Sequence, residues 1–312
     1  MHAEAIRRIG VVGAGLMGHA IALEFAVAGY EVGLHDCTQQ RLEQALQTIE
    51  ADLKLLLRLG LVQPEQAQAA PGRIAASIHL PEIAEEADVV IEAVPEELAL
   101  KQRVFAELSP LCPERTLLAS NTSSFMPSAL FATTGRPDKV LVAHYFNPPY
   151  LLPGVELVRS EQTSEETLTT MFDLLTRVGR RPILLHKEVP GFVANRLQAA
   201  LLREALFLVQ QGVVDARDLD TMVKNGFGRR LAVAGPFEVL DNSGLDVWLA
   251  IASQLFPTLE GSREALAWLE AKVASKELGV KTGKGAYKWP PEAAEALKER
   301  LGRGLAAIEQ LA

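Results

Sequence analysis

The chain has 312 residues, 48% hydrophobic and 22% charged, enough for one large or two ordinary domains with apolar cores. Its 31 basic and 39 acidic side chains leave a formal charge of −8 with no Lys/Arg cluster, so electrostatic binding of nucleic acid has no support. Cys37 and Cys112 form no CxxC pair, so neither a disulfide framework nor a metal site is expected, and a reducing cytoplasm fits. The N-terminal residues show neither a signal-peptide pattern nor an apolar run long enough to span a bilayer, which reads as a soluble protein without a membrane partner.

Along the chain, apolar runs of strand length alternate with longer stretches of helical period from Ile6 to Ile183. Strands are predicted at 9–12, 31–35, 89–93, 116–119, 140–143, 155–158 and 182–185, and helices between them at 20–28, 41–59, 101–108 and 168–178. That alternation predicts an α/β, Rossmann-type doubly wound and mostly parallel sheet over residues 1–187. Glu188-Val189-Pro190-Gly191 then breaks the pattern, and residues 188–312 read as an all-helical second domain with helices at 192–211, 215–224, 236–256 and 262–276. Two prolines open a last segment, 290–312, in which Leu297, Leu301, Leu305 and Ile308 recur at helical spacing.

The first strand runs into Gly13-Ala14-Gly15-Leu16-Met17-Gly18, a GxGxxG turn between a strand and a helix. Gly13 permits the tight turn, Gly15 lets backbone approach a pyrophosphate, and Gly18 allows close packing of the helix, whose positive end faces the phosphates. Asp36 ends the next strand about 20 residues on, where a carboxylate accepts from a ribose 2′-hydroxyl and repels a 2′-phosphate, which favours NAD over NADP. The alternative for Asp36 is a helix cap ahead of Thr38 to Arg41.

Among six histidines, His144 is the candidate base: it sits at the carboxyl end of the predicted strand 140–143, at the edge of the sheet where ligands of open α/β folds bind. Ser123 lies past another strand on that edge, and Glu156 falls where an adjacent strand could bring it to the imidazole. A hydroxyl, an imidazole and a carboxylate suit removal of a proton from an alcohol. The same spacing also allows a turn serine and a solvated strand-end glutamate.

These residues and their order resemble the L-3-hydroxyacyl-CoA dehydrogenase family. The likeness rests on GAGLMG, EAVPEELALK from Glu92 to Lys101, SNTSS from Ser120, HYFNP from His144, VELV from Val155, PGFVANR from Pro190, GPFEVLD from Gly235 and KTGKGAY from Lys281. The resemblance implies His144 as catalytic base, Glu156 as its partner, Ser123 as the hydroxyl on the substrate oxygen, and Asn195 as an amide reaching in from the helical domain. It places Glu96, Lys101, Asn147 and Lys281, with the Gly13, Gly15, Leu16, Met17 and Gly18 turn, around NAD, and implies a homodimer formed by the helical domain.

Two segments, Asn147 to Pro153 and Met126-Pro127-Ser128, look like the λ-crystallin branch, which includes L-gulonate 3-dehydrogenase and, more distantly, carnitine dehydrogenase. Those relatives oxidise free 3-hydroxy acids, whereas Asn121, Ser124 and the KTGKG segment keep the acyl-CoA form. The first expectation is therefore a short-chain L-3-hydroxyacyl-CoA dehydrogenase of fatty acid metabolism, and the second a dehydrogenase of free 3-hydroxy acids. Arg41, Lys54 and Arg58 are the cations available to CoA phosphates, and Arg229-Arg230 either bind a free carboxylate or form a solvated pair. A non-catalytic, crystallin-like protein is the remote alternative, disfavoured by the intact Ser123, His144, Glu156 and Asn195 set.

Overall fold

Eight strands form one sheet in the computed structural model of this chain, which describes residues 2–132, 134–263 and 267–309. They are β1 (Arg8–Val12), β2 (Glu31–His35), β3 (Ile74–Ser77), β4 (Val89–Glu92), β5 (Leu117–Ser120), β6 (Val140–Tyr145), β7 (Gly154–Val158) and β8 (Arg181–Leu185), in spatial order β3-β2-β1-β4-β5-β6-β7-β8. Every neighbouring pair is parallel except β6 with β7. All seven predicted strands are present. The unexpected eighth, β3, is the edge strand Ile-Ala-Ala-Ser, too short and too exposed to carry a strand signature.

Helices α1 (Gly18–Val27), α2 (Gln39–Arg58), α3 (Pro64–Ala69), α4 (Leu80–Ala84), α5 (Leu98–Leu111), α6 (Pro127–Leu130) and α7 (Glu165–Arg177) complete the first unit. The central strands bury every residue, as a sheet covered on both faces requires. Their side chains alternate between two cores. Ile9, Val11, Ile91, Ala143, Tyr145 and Leu157 join residues of α1, α2 and α7, while Val90, Leu118, Val142 and Val158 join Phe105 and Leu108 of α5 and Leu130 of α6. In α2 the buried Leu42, Ala45, Ile49, Leu53 and Leu56 fall at the three-and-four spacing of an amphipathic helix, each large one contributing roughly 1.5–3 kcal/mol.

The chain divides into two units, Met1–Asn195 and Arg196–Ala312. The segment after β8 stays with the first because Phe192 is buried in its second core. Helix α8 (Ala194–Gln210) crosses the division, and α9 (Ala216–Asn225), α10 (Phe227–Leu231), α11 (Pro236–Ser243), α12 (Leu245–Leu255), α13 (Ala267–Ala274) and α14 (Pro291–Glu309) follow. The single helix expected over 236–256 is two, because Gly244 at φ 92° ends α11 and opens α12. Of the helix expected over 262–276, residues 264–266 lie outside the described residues, as do 310–312 of the terminal one. No residue of α8 to α13 is buried: Phe237 is 80%, Leu249 69% and Met222 67% exposed. Among the described residues no helix is long and apolar enough to cross a membrane.

The glycine turn connects sequence to fold most tightly. Gly13 has φ 102°, and a Cβ on it would lie 2.7 Å from the backbone carbonyl of Ala93 past β4. A Cβ on Gly18 would overlap the carbonyl oxygen of Gly13, so the close approach that the sequence suggests is of the turn upon itself. Gly18→Ala should therefore lower stability by about 1–3 kcal/mol, the range for forced overpacking, and weaken NADH binding at least tenfold. Urea denaturation and fluorescence titration check both, and an unchanged titration would contradict the packing described here.

Candidate active site

The order of the strands reverses between β1, which continues to β2, and β4, so a crevice opens outside their carboxyl ends. The GxGxxG turn lies there. A Cβ at Gly15 would meet nothing within 4 Å, so ligand can approach its backbone, and Leu16 is 66% exposed beside it. Met17 precedes α1 as its N-cap and packs partly on the core. Asp36 is buried at the end of β2, where one oxygen accepts from Ala14 N at 2.9 Å and the other from Cys37 N at 2.8 Å. It is no helix cap: Thr38 caps α2, accepting from Arg41 N. Burial alone would raise the Asp36 carboxyl, but the hydrogen bonds from Ala14 and Cys37 and the Arg41 charge hold it below the ordinary range. An ionised carboxylate tied to the glycine turn fits a dinucleotide whose ribose carries free hydroxyls.

Beyond β4 a buried ion cluster supports the floor of the crevice. Lys101 of α5 is 1% exposed, its Nζ donating to Glu92 Oε1 at 2.8 Å and to Val94 O at 3.2 Å, with Glu96 at 3.3 Å. Glu92, also accepting from Ser120 Oγ at 2.5 Å, escaped sequence reasoning because it reads as one more strand residue. Burial pushes its carboxyl up, against the Lys101 charge. Glu96 gathers the serine loop: Oε1 accepts from Thr122 Oγ1 at 2.6 Å, from Ser124 Oγ at 2.8 Å, from the N–H groups of Ser123 and Ser124 at 3.0 and 3.1 Å, and more distantly from Ser123 Oγ at 3.4 Å. Burial works against the charge of Glu96, yet these donors and Lys101 keep its carboxyl below the ordinary range.

The antiparallel pairing of β6 and β7 sets His144 opposite Glu156. Their side chains are 4% and 2% exposed as whole residues, and His144 Nδ1 meets Glu156 Oε2 at 2.7 Å. The second oxygen of Glu156 accepts from the N–H groups of Val193 and Ala194, both at 2.9 Å, where α8 begins. Burial again opposes the charge, but the hydrogen bond with His144 and those from Ala194 and Val193 hold the Glu156 carboxyl below the ordinary range. An ionised Glu156 requires the proton on Nδ1, which leaves the Nε2 lone pair to accept one. Phe146 and Phe192 flank the ring, with centroids 4.8 and 5.5 Å away. Phe192, at φ 53°, is a bulky residue in the left-handed region, a local cost that its buried packing must offset. Sequence alone gave no sign of it.

Asn195, expected from the helical domain, is the last residue of the first unit, and its amide donates to Ser123 O at 3.1 Å. Asn121 Oδ1 accepts from Tyr145 N at 3.0 Å, fastening the serine loop to β6. Asn147 is exposed just beyond β6. Lys281, in the turn Val280–Thr282, and Arg229 and Arg230 of α10 are exposed in the second unit. The first unit thus presents a buried imidazole–carboxylate pair and a hydroxyl-bearing loop beside a dinucleotide crevice. Such a set can take a proton from an alcohol as hydride leaves the same carbon.

Residues 8–189 match the 3-hydroxyacyl-CoA dehydrogenase, NAD binding domain, and residues 191–289 the 3-hydroxyacyl-CoA dehydrogenase, C-terminal domain. The chain is 34% identical over 98% of both lengths to 5-formyl-3-hydroxy-2-methylpyridine 4-carboxylate 5-dehydrogenase of Mesorhizobium japonicum. A solved structure of an NAD+-dependent dehydrogenase of that name superposes with a TM-score of 0.92 at 34% identity, covering 98% of each chain. The human λ-crystallin homolog is 38% identical over 77% of this chain and 76% of its own, and a probable 3-hydroxybutyryl-CoA dehydrogenase of Bacillus subtilis 35% over 90% and 97%.

Replacing Glu156 by Gln removes the charge that fixes the imidazole tautomer while leaving the side chain nearly isosteric. Glu156→Gln should lower kcat by roughly 10²–10⁴, the range of acid–base contributions, with NADH affinity changed less than about threefold. Stopped-flow turnover against NADH fluorescence titration separates the two. A kcat within a factor of about three of the parent would remove Glu156 from the site.

Proposed function

The chain belongs to the 3-hydroxyacyl-CoA dehydrogenase family, whose members use NAD, and we propose that its own substrate is a small free hydroxy carboxylate. Bound NAD supplies the hydride acceptor. His144 Nε2 takes the hydroxyl proton as the carbonyl forms, the Glu156 carboxylate stabilises the resulting imidazolium, and the Ser123 hydroxyl donates to the substrate oxygen. Asn195 and Glu96 keep the Ser123 loop in place, while Lys101, Asn147 and Lys281 serve the cofactor.

The observation that carries the substrate reading is the full-length likeness to the pyridine carboxylate dehydrogenase, in whose named substrate a free carboxylate and a formyl group occupy neighbouring ring positions. Within this chain, Arg41 is engaged by Asp36, which leaves Lys54 and Arg58 as the cations of α2 for the phosphates of a CoA. A free carboxylate needs one fork of donors, the part assigned to Arg229 or Arg230.

The second reading, a short-chain L-3-hydroxyacyl-CoA such as 3-hydroxybutyryl-CoA and a place in fatty acid metabolism, draws on the Bacillus subtilis relative and on Asn121 and Ser124. Those two side chains serve the protein itself here, one holding Tyr145 N and the other Glu96, so they do not argue for a thioester. With either substrate the protein is read as a cytoplasmic homodimer through the helical unit. Its support is the row of exposed apolar side chains on α8 to α12, too much apolar surface to leave in water.

Turnover with NAD of L-gulonate, L-carnitine, 3-hydroxybutyrate and a 2-(hydroxymethyl)benzoate, set beside NADH oxidation with acetoacetyl-CoA, decides the substrate. The expected outcome is a kcat/KM for one free acid at least about tenfold above the thioester, and turnover of the thioester alone overturns the reading. Sedimentation velocity should give a dimer at micromolar concentration, and Leu249→Asp with Phe237→Asp should shift it to monomer. A monomeric parent chain would refute the dimer.

A further inference from the structure

On the face of the sheet opposite His144, a cavity of about 400 Å³ lies wholly within the first unit. Tyr145 alternates with His144 along β6 and points into the core of α1, α2 and α7, whereas Phe192, against which His144 lies, belongs to the other core. The cavity wall is apolar along Leu23, Val27, Leu61 and Val62, and polar where Glu24 of α1 meets Arg180 beyond α7.

That polar end is unfinished by the standards of a protein interior. Glu24 is 6% exposed, and both of its carboxylate oxygens, the Tyr145 hydroxyl and Arg180 Nε lack a hydrogen-bond partner among the described residues. Arg180 Nε stands 3.4 Å from Glu24 Oε1, attracted but without hydrogen-bond geometry, and its Nη1 is spent on Pro149 O at 2.8 Å. Burial pushes the Glu24 carboxyl up to about 7 although Arg180 pulls it down. Burial and then the Glu24 charge push the Tyr145 hydroxyl well above its ordinary value, which keeps it a donor.

We propose that this cavity is a second binding site, for a compact monocarboxylic acid with an apolar body. The ligand carboxylate lies on Arg180 Nε and accepts from a protonated Glu24, and the body rests on Leu23, Val27, Leu61 and Val62. Binding takes up one proton from solvent, which goes to Glu24, and no bond to carbon changes.

Charge selects an acid over an amine. Arg180 faces Glu24 from beyond α7, Tyr145 from β6 and Tyr150 from the turn Pro149–Leu151, while α2 and α3 present Leu56 and the neutral Gln66; Arg177 on the cavity wall is paired with Glu4, and Asp52 of α2 lies behind Tyr150 and also meets His19. With Arg177 offset by Glu4 and Asp52 engaged by His19 and Tyr150, Arg180 against Glu24 leaves the polar end neutral while Glu24 is ionised and positive once it is protonated. An ionised Glu24 repels the incoming carboxylate and a neutral one donates to it, so affinity is greatest below pH 7 and falls as pH rises through it.

Isothermal titration of benzoate into the NADH-saturated protein at pH 6 and pH 8, with benzylamine and benzyl alcohol in parallel, tests the site. Benzoate is expected to bind about tenfold more tightly at pH 6 than at pH 8, as one linked proton with a midpoint near 7 requires, and more tightly than either comparison compound. Arg180→Met should abolish the binding. Glu24→Gln, whose amide still donates, should keep it and flatten the pH dependence, with thermal midpoints confirming that both variants fold. Absent benzoate binding, equal affinity at the two pH values, preference for benzylamine, or unchanged binding in Arg180→Met would each overturn the proposal; the first three need no variant.

Discussion

The single antiparallel pairing in an otherwise parallel sheet, β6 against β7, is the constraint on which the rest of the site depends. Side chains alternate along a strand, so a slip of one residue would send Glu156 to the opposite face and leave His144 without its carboxylate. In the observed register both point to the face of Phe192, and Val142 and Val158 beside them bury against the same core. Packing of ordinary apolar residues thus fixes a buried imidazole–carboxylate pair, and that pair need not supply the stability of the strands that hold it.

Glu156 also joins two parts of the molecule that sequence treats as separate. One oxygen orients the imidazole, and the other accepts from the first N–H groups of α8, which favour a negative charge at a helix start. Asn195 follows one residue later and holds the carbonyl of Ser123. A substitution at this glutamate therefore reaches the serine loop through backbone as well as the base through its ring.

Much of this was legible from residue order. The seven apolar runs, the glycine turn with Asp36, and the placement of His144 and Ser123 at the carboxyl edge follow from periodicity and the geometry of parallel sheets. What sequence did not reveal was set by tertiary contact. Short, half-exposed β3 has no signal of its own, and Gly244 breaks a helix whose periodicity runs on through it. Glu92 and Phe192 matter through burial and backbone strain, which no spacing records. The break at Pro190-Gly191 coincides with the start of the C-terminal family match at residue 191, whereas the division by contacts falls after Asn195, because α8 starts on a carboxylate of the sheet, a tertiary contact that local texture does not record.

The bare apolar faces of α8 to α13 have a thermodynamic consequence. The first unit carries its interior with it, so its folding free energy is a property of one chain. Helices that bury little of their own have a small hydrophobic term, and any partner that covered their apolar faces would add to their stability by mass action. With a second copy as that partner, the proposed dimer, dilution would act as a denaturant, and the temperature at which the helices melt would be a function of protein concentration.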